Sequence, residues 1–289
     1  MGTKTSSIDV WKIVRAIAVA TGAVLSAGWI AMAFGYVRLN RLIGRDVAAL
    51  LAGPEEIPAG VVSAEMLKGL PEPARRYLAH SGVAGKPHVR SVYLEQTGRM
   101  RAGDRQPWMP LDARQWYTVS PPGFVWDGTM HLGPLPIARA RDQYLHGRGS
   151  LVVRAAQIIP VANVAGEEMD QGAMMRYLAE MIWFPAAFLG ANIDVAPIDS
   201  QSFQVTLTED NRGVSGQMHI DEEGRLTRIE AERYRMVDGG FELCPWSAIV
   251  TEYGEFEGLK LPCRAQALWH LESGELPYFD VAITHLEYA

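Results

Sequence analysis

The 289-residue sequence has only two cysteines, Cys244 and Cys263, and its seven histidines form no ligand-bearing arrangement. His80, His88, His131, His146, His219, His270 and His285 make neither an H-x-H nor an H-E-x-x-H pattern. Neither cysteine has a partner at ligand spacing, so no metal site is expected. Walker A, G-x-G-x-x-G and G-x-S-x-G motifs are missing as well, and no cofactor is expected. A basic stripe is also lacking. The net charge is −6, and neutralising phosphates needs a positive surface, so nucleic acid is set aside as a partner. There is no repeat, low-complexity run or Gly/Ser linker to divide the chain.

The two cysteines flank an apparent hairpin whose turn lies near Glu255–Gly258. Simple register would put Cys263 opposite Val250, with Cys244 six residues further on, about 20 Å away at the rise of a strand. A bridge needs Cα atoms roughly 4.4–6.8 Å apart. Two unpaired thiols are expected.

What the sequence does have is one long apolar run. From Ala16 to Val37 no residue is charged, and these residues as a helix reach about 33 Å, enough to cross a hydrocarbon core of about 30 Å. Trp11 and Tyr36 sit near its ends, as interfacial aromatics would. Lys12 and Arg15 fence one side, and Arg38, Arg41 and Arg45 the other. The run predicts a transmembrane helix, with residues 1–45 as an N-terminal membrane anchor. Ala31-Met32-Ala33 leaves a cleaved signal peptide as the competing reading, although the run exceeds the usual apolar core of about 7–15 residues. Lys4, Lys12, Arg15 and the amino terminus nearly balance the three arginines, so charge does not set the orientation. An N-terminal anchor that exports its following domain is the expected arrangement, giving a single-pass protein with an extracytoplasmic domain.

Residues 46–87 read as a helical prelude. Arg45–Leu51 extends the anchor helix until Gly53-Pro54, Ser63 is an N-cap candidate, and Ala74–His80 forms a helix stopped by Gly82. From residue 88 to 289 the period changes to two. Val92 and Leu94 share a face, as do Phe124, Trp126, Met130 and Leu132, and Phe203, Val205 and Leu207. Such alternation marks half-buried strands. Turn residues at Pro121-Pro122-Gly123, Asn211-Arg212-Gly213, Glu222-Glu223-Gly224 and Asp238-Gly239-Gly240 separate them. One helix interrupts the pattern: Met174, Tyr177, Leu178 and Met181 fall at helical spacing, with Asp170 as N-cap candidate and the whole insertion at about 166–190.

The predicted fold is therefore mainly β (α+β). It is a large curved antiparallel sheet, half-barrel-like, with a mid-chain helical insertion and a transmembrane helix before it. Apolar residues on both faces of the Trp246–Tyr253 strand imply that both faces are at least partly covered. A helix across the mouth of a curved sheet leaves either an apolar cavity or a solid core.

Few residues carry candidate chemistry. Arg176 and Glu180 lie four apart on the inserted helix, where they meet on one face. The pair reads either as an acid/base with its anion partner or as a structural ion pair. Asp142, Tyr144 and His146 share one strand face, and Asp142 is a further acid/base candidate.

Several segments together resemble an uncharacterised bacterial family, a domain of unknown function: LPEPARRYLAHSGV at 70–83, GRMR…PWMP at 98–110, PPGFVW at 121–126, RYLAE-x-x-WFP at 176–185 and YRMVDGGFE…PW at 234–246. The turn exit G-L-K-L-P at 258–262 is also similar to one in bacterial lipoprotein-carrier proteins, whose half-barrel holds acyl chains. That resemblance implies an apolar ligand and brings no catalytic residues with it. The expected function is a membrane-held binding module for a lipid or other apolar small molecule, with Phe124, Trp126, Trp183 and Phe184 lining the site. A hydrolase-like enzyme on a membrane-derived substrate, using Glu180, Arg176 or Asp142, and a protein-interaction scaffold are the alternatives.

Overall fold

A computed structural model describes residues 10–53 and 60–289; Lys4 and Pro54 lie outside them. Helix α1 (Val10–Ala52) is 43 residues long and runs unbroken past position 45. Its two halves differ. Side chains from Trp11 to Ile30 are all exposed, and the helix is long and apolar enough to cross a membrane. Further along, Leu39, Ile43 and Leu50 are buried and pack with Leu42, Val47, Trp116, Leu145 and Val125. Spacings of four and seven put these residues on one stripe of the helix, and that stripe lies against a sheet.

Two short helices follow. In α2 (Ala64–Lys68) the Ser63 hydroxyl accepts from the Met66 amide at 3.3 Å. Helix α3 (Glu72–Ser81) opens on prolines and ends at Gly82, which adopts the left-handed conformation with φ of 78°, where glycine meets no steric penalty. The Ser63 cap and the stop at Gly82 follow the sequence expectation, while α3 starts at Glu72, two residues before the expected Ala74.

Six strands come next: β1 (Ser91–Met100), β2 (Met109–Thr118), β3 (Gly123–Leu132), β4 (Leu135–Leu145), β5 (Arg148–Ala155) and β6 (Ile159–Ala165). Helix α4 (Glu167–Glu180) interrupts, followed by two 3-10 turns at Met181–Trp183 and Pro185–Leu189. Seven strands complete the chain: β7 (Ile193–Pro197), β8 (Ser202–Glu209), β9 (Arg212–Ile220), β10 (Leu226–Val237), β11 (Gly240–Phe256), β12 (Leu259–Leu271) and β13 (Gly274–Tyr288). All pairings are antiparallel, in the order β6-β5-β4-β3-β2-β1-β13-β12-β11-β10-β9-β8-β7.

This order explains the curvature and the position of α4. The first strands meander from the middle of the sheet to one edge, and the last seven return from the other edge to pair β13 with β1. Strands β6 and β7 are consecutive in sequence yet stand at opposite edges, so α4 must cross the hollow between them. A sheet of this width curls rather than staying open. Acidic Glu167 and Glu168 open the helix, matching its positive N-terminal end. Its Met174, Met175, Tyr177 and Leu178 are buried in the interior with Phe124, Phe203, Val205, Leu207 and Ile229. The sheet's inner face is thus filled by α4, and part of its outer face is covered by α1.

Three expectations are corrected. Asp170 is not the N-cap of α4: Gly166 holds that position and Asp170 lies one turn inside, buried. There it accepts from the Gly149 amide at 2.7 Å and pairs with Arg148 and Arg212, both at 2.9 Å. The β11–β12 turn is centred on Glu257-Gly258, so Val250 faces Ala265 and not Cys263. Bulges around Glu252 complete the shift, and Cys244 and Cys263 are free. Leu132, next to the β3–β4 turn and past a bulge at Ile137 of β4, is exposed and not part of the buried face.

Candidate functional site

The sheet presents two distinct sites, one on each face. On the inner face, the three acid/base candidates meet. Arg176 and Glu180 project from α4 and Asp142 from β4. The Arg176 Nε donates to Glu180 at 2.8 Å and its Nη1 to Asp142 at 2.7 Å. Two further residues, which no motif distinguishes, complete the cluster: Gln115 and Tyr117 of β2 donate to Glu180 Oε2 at 2.8 and 3.0 Å. The guanidinium also lies 5.0 and 5.2 Å from the ring centroids of Phe124 and Trp126, favourable cation–π positions.

Burial opposes the charge on Arg176, but Glu180 and Asp142 outweigh it and hold the guanidinium well above its ordinary pKa. Burial, reinforced by Glu180, pushes the Tyr117 phenol well above its usual range. Glu180 accepts three hydrogen bonds, two at Oε2 and one at Oε1, which leaves about one of its four lone-pair sites free. Asp142 is less committed, since its buried Oδ1 has no partner. Chemically, the cluster is an ion-paired brace between α4 and the sheet, one guanidinium shared by two carboxylates.

The four aromatic residues expected at a ligand site are buried around this brace. Phe124 and Phe184 have no measurable exposure, and Trp126 and Trp183 are nearly as closed. Tyr117 packs its ring against Phe124, Trp183 and Phe184 at 5.1–6.5 Å. Trp126 donates to Gln96 at 2.9 Å, and Trp183 to the Pro262 carbonyl at 3.1 Å. Phe184 also borders a cavity of about 290 Å³ beside Val83, Leu259 and Tyr288.

The outer face holds a larger space. A cavity of about 990 Å³ lies between α1 and the sheet, at the upper end of the range of small-molecule sites, about 300–1,000 Å³. Trp29, Met32, Ala33, Tyr36 and Val37 of α1 roof it; Leu135, Pro136, Ile137 and Ala155–Gln157 form a wall. The floor contains Thr97, Arg114, Asp127, Thr129 and Arg139.

The charges in that floor are already paired. Buried Asp127 accepts from Arg139 at 2.7 and 2.8 Å and from Arg114 at 2.8 Å. Arg139 then reaches α1, donating to Asn40 at 2.7 Å and lying 5.4 Å from the Tyr36 ring centroid. The cavity therefore offers an apolar roof and wall over a polar floor with no unpaired buried carboxylate. A smaller polar cavity of about 400 Å³ lies between the β4–β5 and β8–β9 turns, where the Tyr144 hydroxyl donates to Glu209. Among the described residues no group of three or more His, Cys, Asp or Glu is placed to hold a metal ion.

Sequence reasoning missed the outer cavity. Its only signal was the apolar run, which reads equally as a simple span.

Three solved structures share parts of this architecture. They are a DUF1329 family protein from Desulfovibrio piger (8% identity, 75% of this chain, 91% of that one, TM-score 0.44), a putative outer membrane lipoprotein-sorting protein domain from Vibrio parahaemolyticus (8%, 77%, 93%, 0.41) and a LolA superfamily protein from Nitrosomonas europaea (10%, 80%, 94%, 0.40). No curated protein matches the sequence significantly. A family model matches residues 60–281, which span α2 to β13, and the chain belongs to that family of unknown function, DUF6544.

Proposed function

We propose that the protein is a membrane-anchored binding module for a lipid or other apolar ligand, with α1 in the bilayer and the sheet domain on its extracytoplasmic side. The observation that carries this reading is the open cavity of about 990 Å³ between the uncharged stretch of α1 and the sheet. Each buried CH₂ contributes about 0.8 kcal/mol, so ten methylenes supply about 8 kcal/mol before the costs of association. The ligand lies on the outer face, because packing closes in Phe124, Trp126 and Trp183 on the inner one. These aromatics hold the curvature against which α1 docks.

Photo-crosslinking tests the reading. The full chain is reconstituted with a diazirine-bearing phospholipid, irradiated and mapped by peptide mass spectrometry. Adducts are expected on Thr97 and Thr129, which lie on the cavity floor beneath α1. Adducts confined to the exposed residues of α1 would refute a ligand in the cavity.

Convergence of Arg176, Glu180 and Asp142 favours one other reading, a hydrolase acting on a membrane-derived substrate. Ester-hydrolysing activity that disappears in Glu180→Gln, with the thermal transition retained, would establish it.

A further inference from the structure

Two hairpin ends beside α1 expose apolar side chains that the fold does not use. At the β3–β4 turn, Leu132 and Leu135 are 68% and 64% exposed; at the β5–β6 end, Ile159 and Val161 are 57% and 63% exposed. Isolated exposed leucines are ordinary, but a cluster at one rim marks a contact surface.

The two hairpins lie at the same end of the sheet, because β4 pairs with both β3 and β5. They also lie at a defined height along α1. Tyr36 and Asn40 contact Arg139, Asp46 lies 3.5 Å from Arg141, and Leu50 packs further along with Leu145. Helix and strand therefore run in the same direction, and the tip of the β3–β4 hairpin faces the level of Trp29 and Met32. Gly35 fixes the second hairpin, since a Cβ there would lie 2.5 Å from the Gln157 carbonyl oxygen.

Charge follows the same level. Positions 132–138 and 155–160, which lie on the hairpin side of the Arg154–Pro160 pair, contain no charged residue, and neither does the apolar run of α1 up to Val37. Three independent segments end their uncharged stretch together: α1 at Arg38, β4 at Arg139 and β5 at Arg154. Arg139 and Arg154 are direct cross-strand partners. Arg139 is buried against Asp127, so the cations that face outward at this level are exposed Arg38 and half-buried Arg154. An uncharged layer ending at such cations is the distribution a bilayer interface selects.

We infer that the β3–β4 and β5–β6 hairpin ends form a second membrane contact, seated in the lipid interface beside α1. The inference rests on the anchoring reading and adds to it a fixed tilt: the β6 edge sits deepest. The β1–β2 loop, with exposed Asp104 and Arg105, stays among the headgroups. Seating brings the edge of the outer cavity, lined by Trp29, Met32 and Leu135, to the depth of acyl chains. A lipid then enters the cavity without crossing water.

Depth-dependent quenching tests this in the full chain. Leu135→Cys and Ile159→Cys are introduced separately into a Cys244→Ala, Cys263→Ala background, labelled with an environment-sensitive fluorophore and reconstituted in phosphatidylcholine vesicles. A Glu223→Cys label serves as the solvent reference, and resistance to alkaline extraction reports insertion of α1. Expected are blue-shifted emission at positions 135 and 159, quenching by lipids spin-labelled in the acyl chain, and protection from iodide, with none of these at 223. Extraction-resistant protein whose 135 and 159 labels are quenched by iodide as efficiently as the reference overturns the rim contact while leaving the anchor. Protein stripped by alkali overturns the anchoring reading and the rim contact with it.

Discussion

Arg139 donates one hydrogen bond of 2.7 Å to Asn40, and this contact joins a charge pair buried in the sheet to a helix that extends far beyond it. The same guanidinium binds both oxygens of Asp127. Removing it with Arg139→Met leaves a buried carboxylate served by Arg114 alone. The expected cost is about 3–5 kcal/mol, the range for breaking a buried pair. Asn40→Ala loses only one charge-assisted bond, at about 1.5 kcal/mol. Thermal unfolding in detergent micelles should rank the variants in that order, and equal losses would contradict this division of roles.

Gly35 sets how closely α1 approaches the β5–β6 hairpin. A Cβ at this position would meet the Gln157 carbonyl oxygen at 2.5 Å and Ile158 Cγ2 at 2.8 Å. A carbonyl oxygen cannot rotate out of the way, so Gly35→Val should tilt the helix outward at an overpacking cost of about 1–3 kcal/mol. Spin labels at positions 41 and 154 should move apart in dipolar distance measurements. An unchanged distance would show that the helix accommodates the side chain without opening the cavity.

The inner brace makes a non-additive prediction. Arg176→Met strips Glu180 and Asp142 of their shared cation and should cost about 3–5 kcal/mol. Replacing all three together, with Glu180→Leu and Asp142→Leu added, removes the uncompensated carboxylates and should cost less than the single change. Denaturant midpoints of the two proteins decide this. A triple variant less stable than the single one would mean that the network contributes more than it costs to bury its charges.

His80 gives the protein a pH dependence of known sign. It sits on α3 with its ring edge-on to Tyr253, centroids 5.5 Å apart. Burial lowers its pKa below 6.5, and Lys260 and Arg225 add to the effect. The folded state therefore binds this proton less readily than the unfolded chain. Stability from this group is complete above pH 6.5 and is lost as pH falls from there towards the folded pKa. His80→Gln should flatten the melting temperature between pH 7 and 5.5 relative to the parent. A parallel decline in both proteins would assign the dependence to other groups.

Local pattern and tertiary arrangement contributed differently to what was legible. The period-two runs around Phe124, Phe203 and Val92 and the glycine-bearing turns predicted strands and connections correctly, because alternation and turn chemistry act over a few residues. Ser63 and Gly82 marked helix ends for the same reason. The spacing of Arg176 and Glu180 placed them together, since a helix makes neighbours of residues four apart. Asp142 was recognisable as a candidate but not as their partner: that contact depends on α4 crossing the hollow to reach β4. Gln115 and Tyr117 carried no signal, being ordinary strand residues until Glu180 arrives above them. Asp170 misled because an acid near a helix start suits a cap equally well as a buried ion-pair partner.

By itself, then, the sequence determined the apolar α1 segment, the antiparallel β domain, the helix within it and the absence of familiar cofactor motifs. Only the tertiary structure decided which face of the sheet is packed solid and which retains space. The physical reason is that hydrophobic patterning states which side of a strand avoids water, but not what covers it. Here α4 fills the inner face with methionine and aromatic side chains, while α1 meets the outer face along a single stripe. Before Leu39 the buried leucine and isoleucine stripe is absent, the helix touches the β5–β6 hairpin at Gly35, and the cavity opens between helix and sheet.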